Sequence, residues 1–275
     1  MLDREWLLGE ARAEREALGR TVQYTDPVRW EAESPNEGWR LKDVMAHLAA
    51  SETVAAAVIG DEPPTEFEEY RKSLDGSPLT VDGWNDWSVA RRRDEPALAL
   101  ALDWGRAADL FLVRASKVTP EDWEERTVHW TVGEMRVGYL VQYRLAEWWG
   151  HGEDVREGGG LAPRLEHPPI YFVNDLAVRL IPYGLGLQGK SFPGKTVRVE
   201  LEGVGEGEWL AALAAGETPP EGRKPDAYIA GRGHAFASVA TGRADPDVCL
   251  YEGILQVGGD VELCDAVLKA LRSYP

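Results

Sequence analysis

The sequence predicts a four-helix bundle over residues 1 to 160, followed over residues 161 to 275 by a small α+β domain with an antiparallel sheet. Three observations predict this division. Long amphipathic segments fill the first half, with apolar residues recurring every three or four positions. Most of the eleven tryptophans lie before residue 150, a load suited to bulky inter-helix packing. After Gly158-Gly159-Gly160 the pattern turns to short alternating runs broken by glycine and proline, which is strand periodicity.

Taken in order, residues 3 to 20 form a first amphipathic helix, with Trp6, Leu7, Ala11 and Leu18 at helical spacing. The turn Ser34-Pro35-Asn36-Glu37-Gly38 precedes a second helix over residues 41 to 59, which places Leu41, Val44, Met45 and Leu48 on its buried side. Residues 61 to 80 are acidic and hold three prolines, so they read as a long connection with room for one short helix. A third helix runs from about Val81 or Trp84 to Lys117, broken or kinked at Pro96, with Leu98, Leu102, Leu110 and Val113 facing inward. An extended piece through His129-Trp130 leads into a fourth helix over 137 to 157. Four long helices with inward side chains are an established setting for metal sites. Residues 161 to 169, with three prolines, read as a linker. Beyond it come a helix at Asn174 to Leu187, strands at 196–201, 208–213, 226–230 and 252–257, and helices at 233–242 and 260–272.

The net charge of −17 and a pI near 4.8 exclude a nucleic-acid partner, because phosphate binding needs clustered Lys and Arg. An anionic membrane surface is disfavoured on the same ground. No stretch approaches the ~20 apolar residues of a membrane span, and the charged start Met1-Leu2-Asp3-Arg4-Glu5 is unlike a signal peptide. Cys249 and Cys264 are the only cysteines, too few for a disulfide framework, so a reduced cytoplasmic setting is expected.

The chemistry centres on Glu147-Trp148-Trp149-Gly150-His151. A spacing of four on a helix puts Glu147 and His151 one turn apart on one face, where both reach a single ion. His47, on the second helix, is the strongest third ligand. Two histidines and a carboxylate leave coordination positions open, which suits a metal that does chemistry. The same spacing also describes a solvated Glu-His pair, with His47 a core histidine bonded to a backbone carbonyl.

Gly38-Trp39, Asp43-Val44, Ala46-His47-Leu48 and then Glu147, His151 and Asp154 together resemble the DinB/YfiT-like metal-binding superfamily, in the branch typified by mycothiol-dependent maleylpyruvate isomerase. The superfamily commonly uses three histidines; this branch uses His, Glu and His, as here. The resemblance implies that His47, Glu147 and His151 are the ligands, that Zn2+ or another divalent metal is the ion, and that a low-molecular-weight thiol such as mycothiol is the cofactor. Thr241-Gly242-Arg243 and Leu255-Gln256-Val257-Gly258-Gly259-Asp260 are similar to the sterol-carrier-like C-terminal domain of such proteins. One departure is Arg40, where related sequences often carry a helix-capping Thr.

Neither cysteine lies near the ligand motifs, so a nucleophilic sulfur would come from outside. In the family the thiol adds to a cis double bond, permits rotation and is eliminated; addition alone would be S-transfer. Arg243 is the candidate catalytic residue, a guanidinium able to hold a substrate carboxylate, and it suits equally an Arg closing a helix at its negative end. Asp154 could orient His151 or simply be solvated, and His129 could approach the ion or face solvent. His167 and His234 have no ligand spacing, and Trp148 and Trp149 read as packing. A small-molecule substrate and a thiol are thus the expected partners. Two other functions compete: a non-catalytic, metal-stabilised protein that binds an apolar ligand in its C-terminal domain, and metal-assisted hydrolysis. The latter needs a base near the ion, and Glu52, five residues after His47, is poorly phased to supply one.

Overall fold

The computed structural model describes residues 2–130, 133–220 and 222–271. They form two compact units, Met1–Arg164 and Leu165–Pro275.

The first unit is helical. Its elements are α1 (Arg4–Tyr24), α2 (Leu41–Ile59), α3 (Thr65–Ser73), α4 (Val81–Ala90), α5 (Ala97–Lys117), α6 (Pro120–Glu125), the strands β1 (Thr127–Trp130) and β2 (Gly133–Arg136), and α7 (Val137–Gly159). Helix α2 packs on α5 and α7, and α1 packs on the same two helices. Side chains at the helix starts satisfy amides that have no intrahelical partner: Asp3 accepts from Trp6 N, Thr80 from Gly83 N and Thr119 from Asp122 N. Helix α7 ends where Gly160 takes the left-handed conformation at φ 72°, a geometry that favours glycine. Arg164, just beyond, pairs with the buried Glu14 of α1, so the first unit extends past the glycine triplet.

Helix α2 has the expected bounds and buries Leu41, Val44, Met45 and Leu48. Its start survives the Arg40 departure because Asp43 accepts from the Arg40 amide at 3.0 Å, and the Arg40 guanidinium grips the same carboxylate. Helix α5 corrects the sequence reading. Leu98, Leu102, Leu110 and Val113 are 71%, 50%, 44% and 49% exposed, and the buried stripe is Leu100, Trp104, Ala108, Phe111 and Ala115. Both faces of α5 carry apolar residues at helical spacing. The face holding the aromatic rings removes more surface from water and points inward. The break at Pro96 is complete, giving two helices, with Pro96 as the cap residue of α5. The extended piece at His129-Trp130 is one arm of a hairpin, pairing Thr127 with Arg136 and Trp130 with Gly133.

The second unit contains α8 (His167–Leu187), β3 (Thr196–Glu202), β4 (Gly207–Ala212), β5 (Ala227–Arg232), α9 (Gly233–Ala240), α10 (Pro246–Tyr251), β6 (Leu255–Gly259) and α11 (Val261–Leu271). Helix α8 begins inside the expected linker, because Pro168 and Pro169 occupy its first turn, where a missing N–H costs nothing. The sheet order is β4-β3-β5-β6, and the wholly antiparallel sheet is corrected: β3 and β5 run parallel, while the other two pairs are antiparallel. The cause is the route after β4. That strand ends beside the start of β3, with Ala212 opposite Thr196, and the following loop crosses to start β5 at the same end, with Ala227 opposite Val197. Asp226 pins this crossing by accepting from Thr196 N and Lys195 Nζ.

Helix α8 packs against α9 and α11 over a core that includes Ile181, Leu185, Val197, Ile229, Phe236 and Val267. Gly184 makes the α8–α11 approach possible, since a Cβ there would stand 2.3 Å from the Ala270 carbonyl oxygen. Gly184→Ala should therefore destabilise the protein by about 1–3 kcal/mol. Gly186→Ala, on the same helix with open space around it, should be neutral or stabilising by up to about 1 kcal/mol. Urea unfolding of both variants checks the contrast, and equal effects would contradict it.

Candidate metal centre

Helices α2 and α7 position the three predicted ligands. Leu41, at the start of α2, lies against Gly158 near the end of α7, where any Cβ would overlap its side chain. Farther along, His47 of α2 meets Glu147 and His151 of α7, so the helices run in opposite directions. The close approach at Gly158 draws the helix pair together and brings the imidazoles within 4.9 Å of one another, centroid to centroid.

His47 Nε2 lies 3.3 Å from Glu147 Oε2, and His151 Nε2 lies 3.6 Å from the same oxygen. One ligand atom from each residue falls within 4.8 Å of the others. A tetrahedral ion with ligands at ~2.05 Å separates its donors by about 3.3 Å, so the two contacts of Glu147 match two edges of such a site. His47 and Glu147 are buried, and the His151 side chain is nearly so. His151 Nδ1 is 2.8 Å from Asp154 Oδ2, and Asn36 Nδ2 donates to that oxygen at 2.8 Å. Asp154 thus fixes the ring and leaves Nε2 facing Glu147, the carboxylate–histidine arrangement that supports metal ligands. Trp39 lies 5.3 Å from the His47 ring, centroid to centroid.

The electrostatics favour a cation. Burial pulls His47 down to about 4, so its ring is neutral and able to coordinate. Burial would raise Glu147, but hydrogen bonds with His151 and His47 hold it below the usual carboxylate range. Burial would lower His151, yet Asp154 and Glu147 hold it above the ordinary histidine value. Burial raises Glu52, against the pull of Arg144. Once an ion displaces the proton of His151 both imidazoles are neutral, and the formal charges of Glu52, Glu147, Asp154 and Arg144 then sum to −2 (three carboxylates, one guanidinium), the complement of a divalent ion.

Sequence reasoning weighed Glu52 only as a base at the ion, and it is absent from the donor cluster; what went unforeseen is its pairing. Glu52 is fully buried and accepts from Arg144 Nε at 2.6 Å and from Trp148 Nε1 at 2.7 Å, so Trp148 is a hydrogen-bond donor as well as a packing residue. Its five-residue offset from His47 hid it, and the signal that could have exposed it is an Arg-x3-Trp pair on the facing helix. His129 is exposed on β1 and stands outside the cluster. His167 accepts from Gly205 N, and His234 is half-buried. Arg243 belongs to the second unit, half-buried just after α9. Its Nη1 donates to the Thr241 carbonyl at 2.7 Å, an interaction that suits a helix C-terminus. A cavity of about 910 Å³ along α1 and α5 is lined by residues such as Arg15, Trp30 and Trp104 and by none of the three donors.

A helical unit that gathers two histidines and a glutamate, with an α+β unit following in the chain, defines a two-unit class with a candidate metal centre. Residues 11–156 match the mycothiol maleylpyruvate isomerase N-terminal domain, and residues 188–272 match the SCP-2 sterol transfer family. The chain belongs to the mycothiol maleylpyruvate isomerase N-terminal domain family, with a sterol-carrier-like second domain. Uncharacterized proteins of two Mycobacterium tuberculosis strains are 25% identical over 214 residues, 76% of this chain and 77% of theirs. A crystal structure of the mycothiol-dependent maleylpyruvate isomerase superposes with a TM-score of 0.60 at 16% identity, covering 89% of this chain and 91% of that one. A mutant of that enzyme gives 0.60 at 15% identity, covering 88% and 90%. At these identities the likeness speaks for the fold.

The low value at His47 has a consequence for stability. Between about pH 6.5 and 4 an unfolded His47 takes up a proton that the folded metal-free protein refuses, so this residue makes stability fall as pH drops through that window. His151 acts in the opposite sense and is common to both proteins compared. Metal-free wild type should lose about 1–3 kcal/mol more than His47→Asn between pH 7 and pH 4.5 by urea unfolding. Parallel pH profiles would contradict the assignment.

Proposed function

We propose that this protein is a zinc-dependent enzyme that uses a low-molecular-weight thiol, mycothiol or one like it, for cis–trans isomerisation or S-transfer on a small electrophilic, carboxylate-bearing substrate. The observation that carries the reading is the buried convergence of His47, Glu147 and His151 with a surrounding formal charge of −2 once both imidazoles are neutral. Family membership supports it, and the four long helices of the first unit read as a four-helix bundle of the DinB-like kind.

His47, Glu147 and His151 would hold the ion through two neutral nitrogens and one carboxylate oxygen, a donor set that suits zinc and leaves a position open. A bound zinc would supply a positive charge that keeps a thiol ionised at neutral pH. The chain's own residues do the rest. Asp154 and Asn36 hold the His151 ring in one orientation, and the packing of α2 against α7 excludes bulk water from the donors. The first unit contains no cysteine, since Cys249 and Cys264 both belong to the second, where they are buried. That supports an external sulfur. Arg243 is proposed to bind the substrate carboxylate through its guanidinium.

The alternative, a non-catalytic protein holding an apolar ligand in its second domain, draws support from the SCP-2 sterol transfer match. A cavity in that unit lined by Asp245, Leu250, Val257, Val261, Leu268 and Lys269 measures about 220 Å³.

The test is zinc content together with thiol-dependent turnover of α,β-unsaturated carboxylates. Wild type should carry about one zinc per chain, and His47→Ala and His151→Ala should lose it along with roughly a hundredfold or more of the activity. Equal zinc in all three proteins would refute the reading, and lipid retained without thiol chemistry would favour the alternative. Arg243→Gln should raise KM for carboxylate substrates while leaving zinc content unchanged, and an unaltered KM would remove Arg243 from the site.

A further inference from the structure

Beside the three donors lies an ion pair whose two side chains are almost wholly out of water. Glu52 and Arg144 are 0% and 1% exposed on their side chains. One oxygen of Glu52 accepts from both Arg144 and Trp148, while its other oxygen is buried with no hydrogen-bond partner. Arg144 Nη1 in turn lies 3.9 Å from Glu147 Oε2, the oxygen shared by both imidazoles. Trp130, at the end of β1, covers the guanidinium at 5.4 Å from its ring centre.

Two charges taken wholly out of water are costly, and apolar residues of similar volume commonly pack as well or better. Packing alone therefore gives no reason for this pair. Its placement gives one. A lone guanidinium at that distance would draw Glu147 toward itself and repel an incoming cation. Glu52, bonded to the same guanidinium, offsets that charge.

We propose that Glu52 is a positioning residue of the metal centre: it neutralises Arg144, which stands beside Glu147, so that the Glu147 carboxylate remains available to a divalent cation. The inference rests on the metal reading above and assigns the electrostatic balance of that site to a residue that does not touch the ion. Arg144 without Glu52 is a built-in competitor for Glu147. Loss of Glu52 should thus harm metal binding more than loss of both partners.

The experiment measures zinc affinity by chelator competition in wild type, Glu52→Gln and the double variant Glu52→Gln/Arg144→Met, with visible spectra of the Co2+-loaded proteins. Glutamine keeps an acceptor for Trp148 and changes only the charge. Glu52→Gln should bind zinc at least about tenfold more weakly and shift the Co2+ bands, whereas the double variant should return to within about threefold of wild-type affinity. A packing role predicts the reverse order, with the double variant the weakest. Wild-type affinity in Glu52→Gln, or a double variant no better than the single one, overturns the proposal. Should Glu52→Gln fail to fold, a folded double variant with tenfold weaker binding overturns it as well. A wild type that binds no zinc overturns the metal reading and this inference together; a wild type that binds it, with Glu52→Gln unchanged, overturns this inference alone.

Discussion

A carboxylate removed from water between two imidazoles governs the first unit. Glu147 is buried on α7 with His47 and His151 both close to its Oε2, and an isolated anion in that position would cost several kcal/mol unless compensated. A neutral His47 compensates it poorly, and the nearby Arg144 guanidinium is already paired with Glu52. The surrounding structure reads as what is needed to keep that carboxylate in place. Gly158 lets Leu41 approach so that the two helices meet, Asp154 and Asn36 fix one ring, and Trp39 and Trp130 cover the sides.

This constraint explains why α2 is buried along most of its length. A helix that must bring a histidine to the interior while packing on both α5 and α7 cannot keep a wide polar face, and its run of alanines allows the close spacing. The second unit has a different logic. There a mixed sheet is covered by α8 and α11, with Gly184 setting the helix spacing and Asp226 fixing the crossing from β4 to β5. It matches a sterol transfer family, and Arg243 follows α9 within it.

Much of this was legible in the sequence, for identifiable reasons. The bounds of α2 followed from a turn before Leu41 and the Gly60-Asp61 stop, and the closeness of Glu147 and His151 from a four-residue spacing that any helix makes adjacent, with His47 added to them by the resemblance. The buried face of α5 was not legible, because leucines mark both faces and only the tertiary demand for Trp104 and Phe111 decides between them. The parallel β3–β5 pair was hidden too, since alternation reports a strand and not its neighbour's direction. Helix α8 began early because prolines read as a linker also suit a first helical turn. Residues 131 and 132, between β1 and β2, lie outside the described residues. Glu52 was set aside on phase alone, yet a long side chain reached by an arginine from another helix joins the site without sharing the face of His47.

The most direct test is anomalous scattering at the zinc edge from crystals of the protein grown with zinc. The account predicts a single strong peak in the first unit, about 2.0–2.2 Å from His47 Nε2, His151 Nε2 and a Glu147 oxygen. A peak held by other residues, or none between these three in crystals that contain zinc, would contradict it.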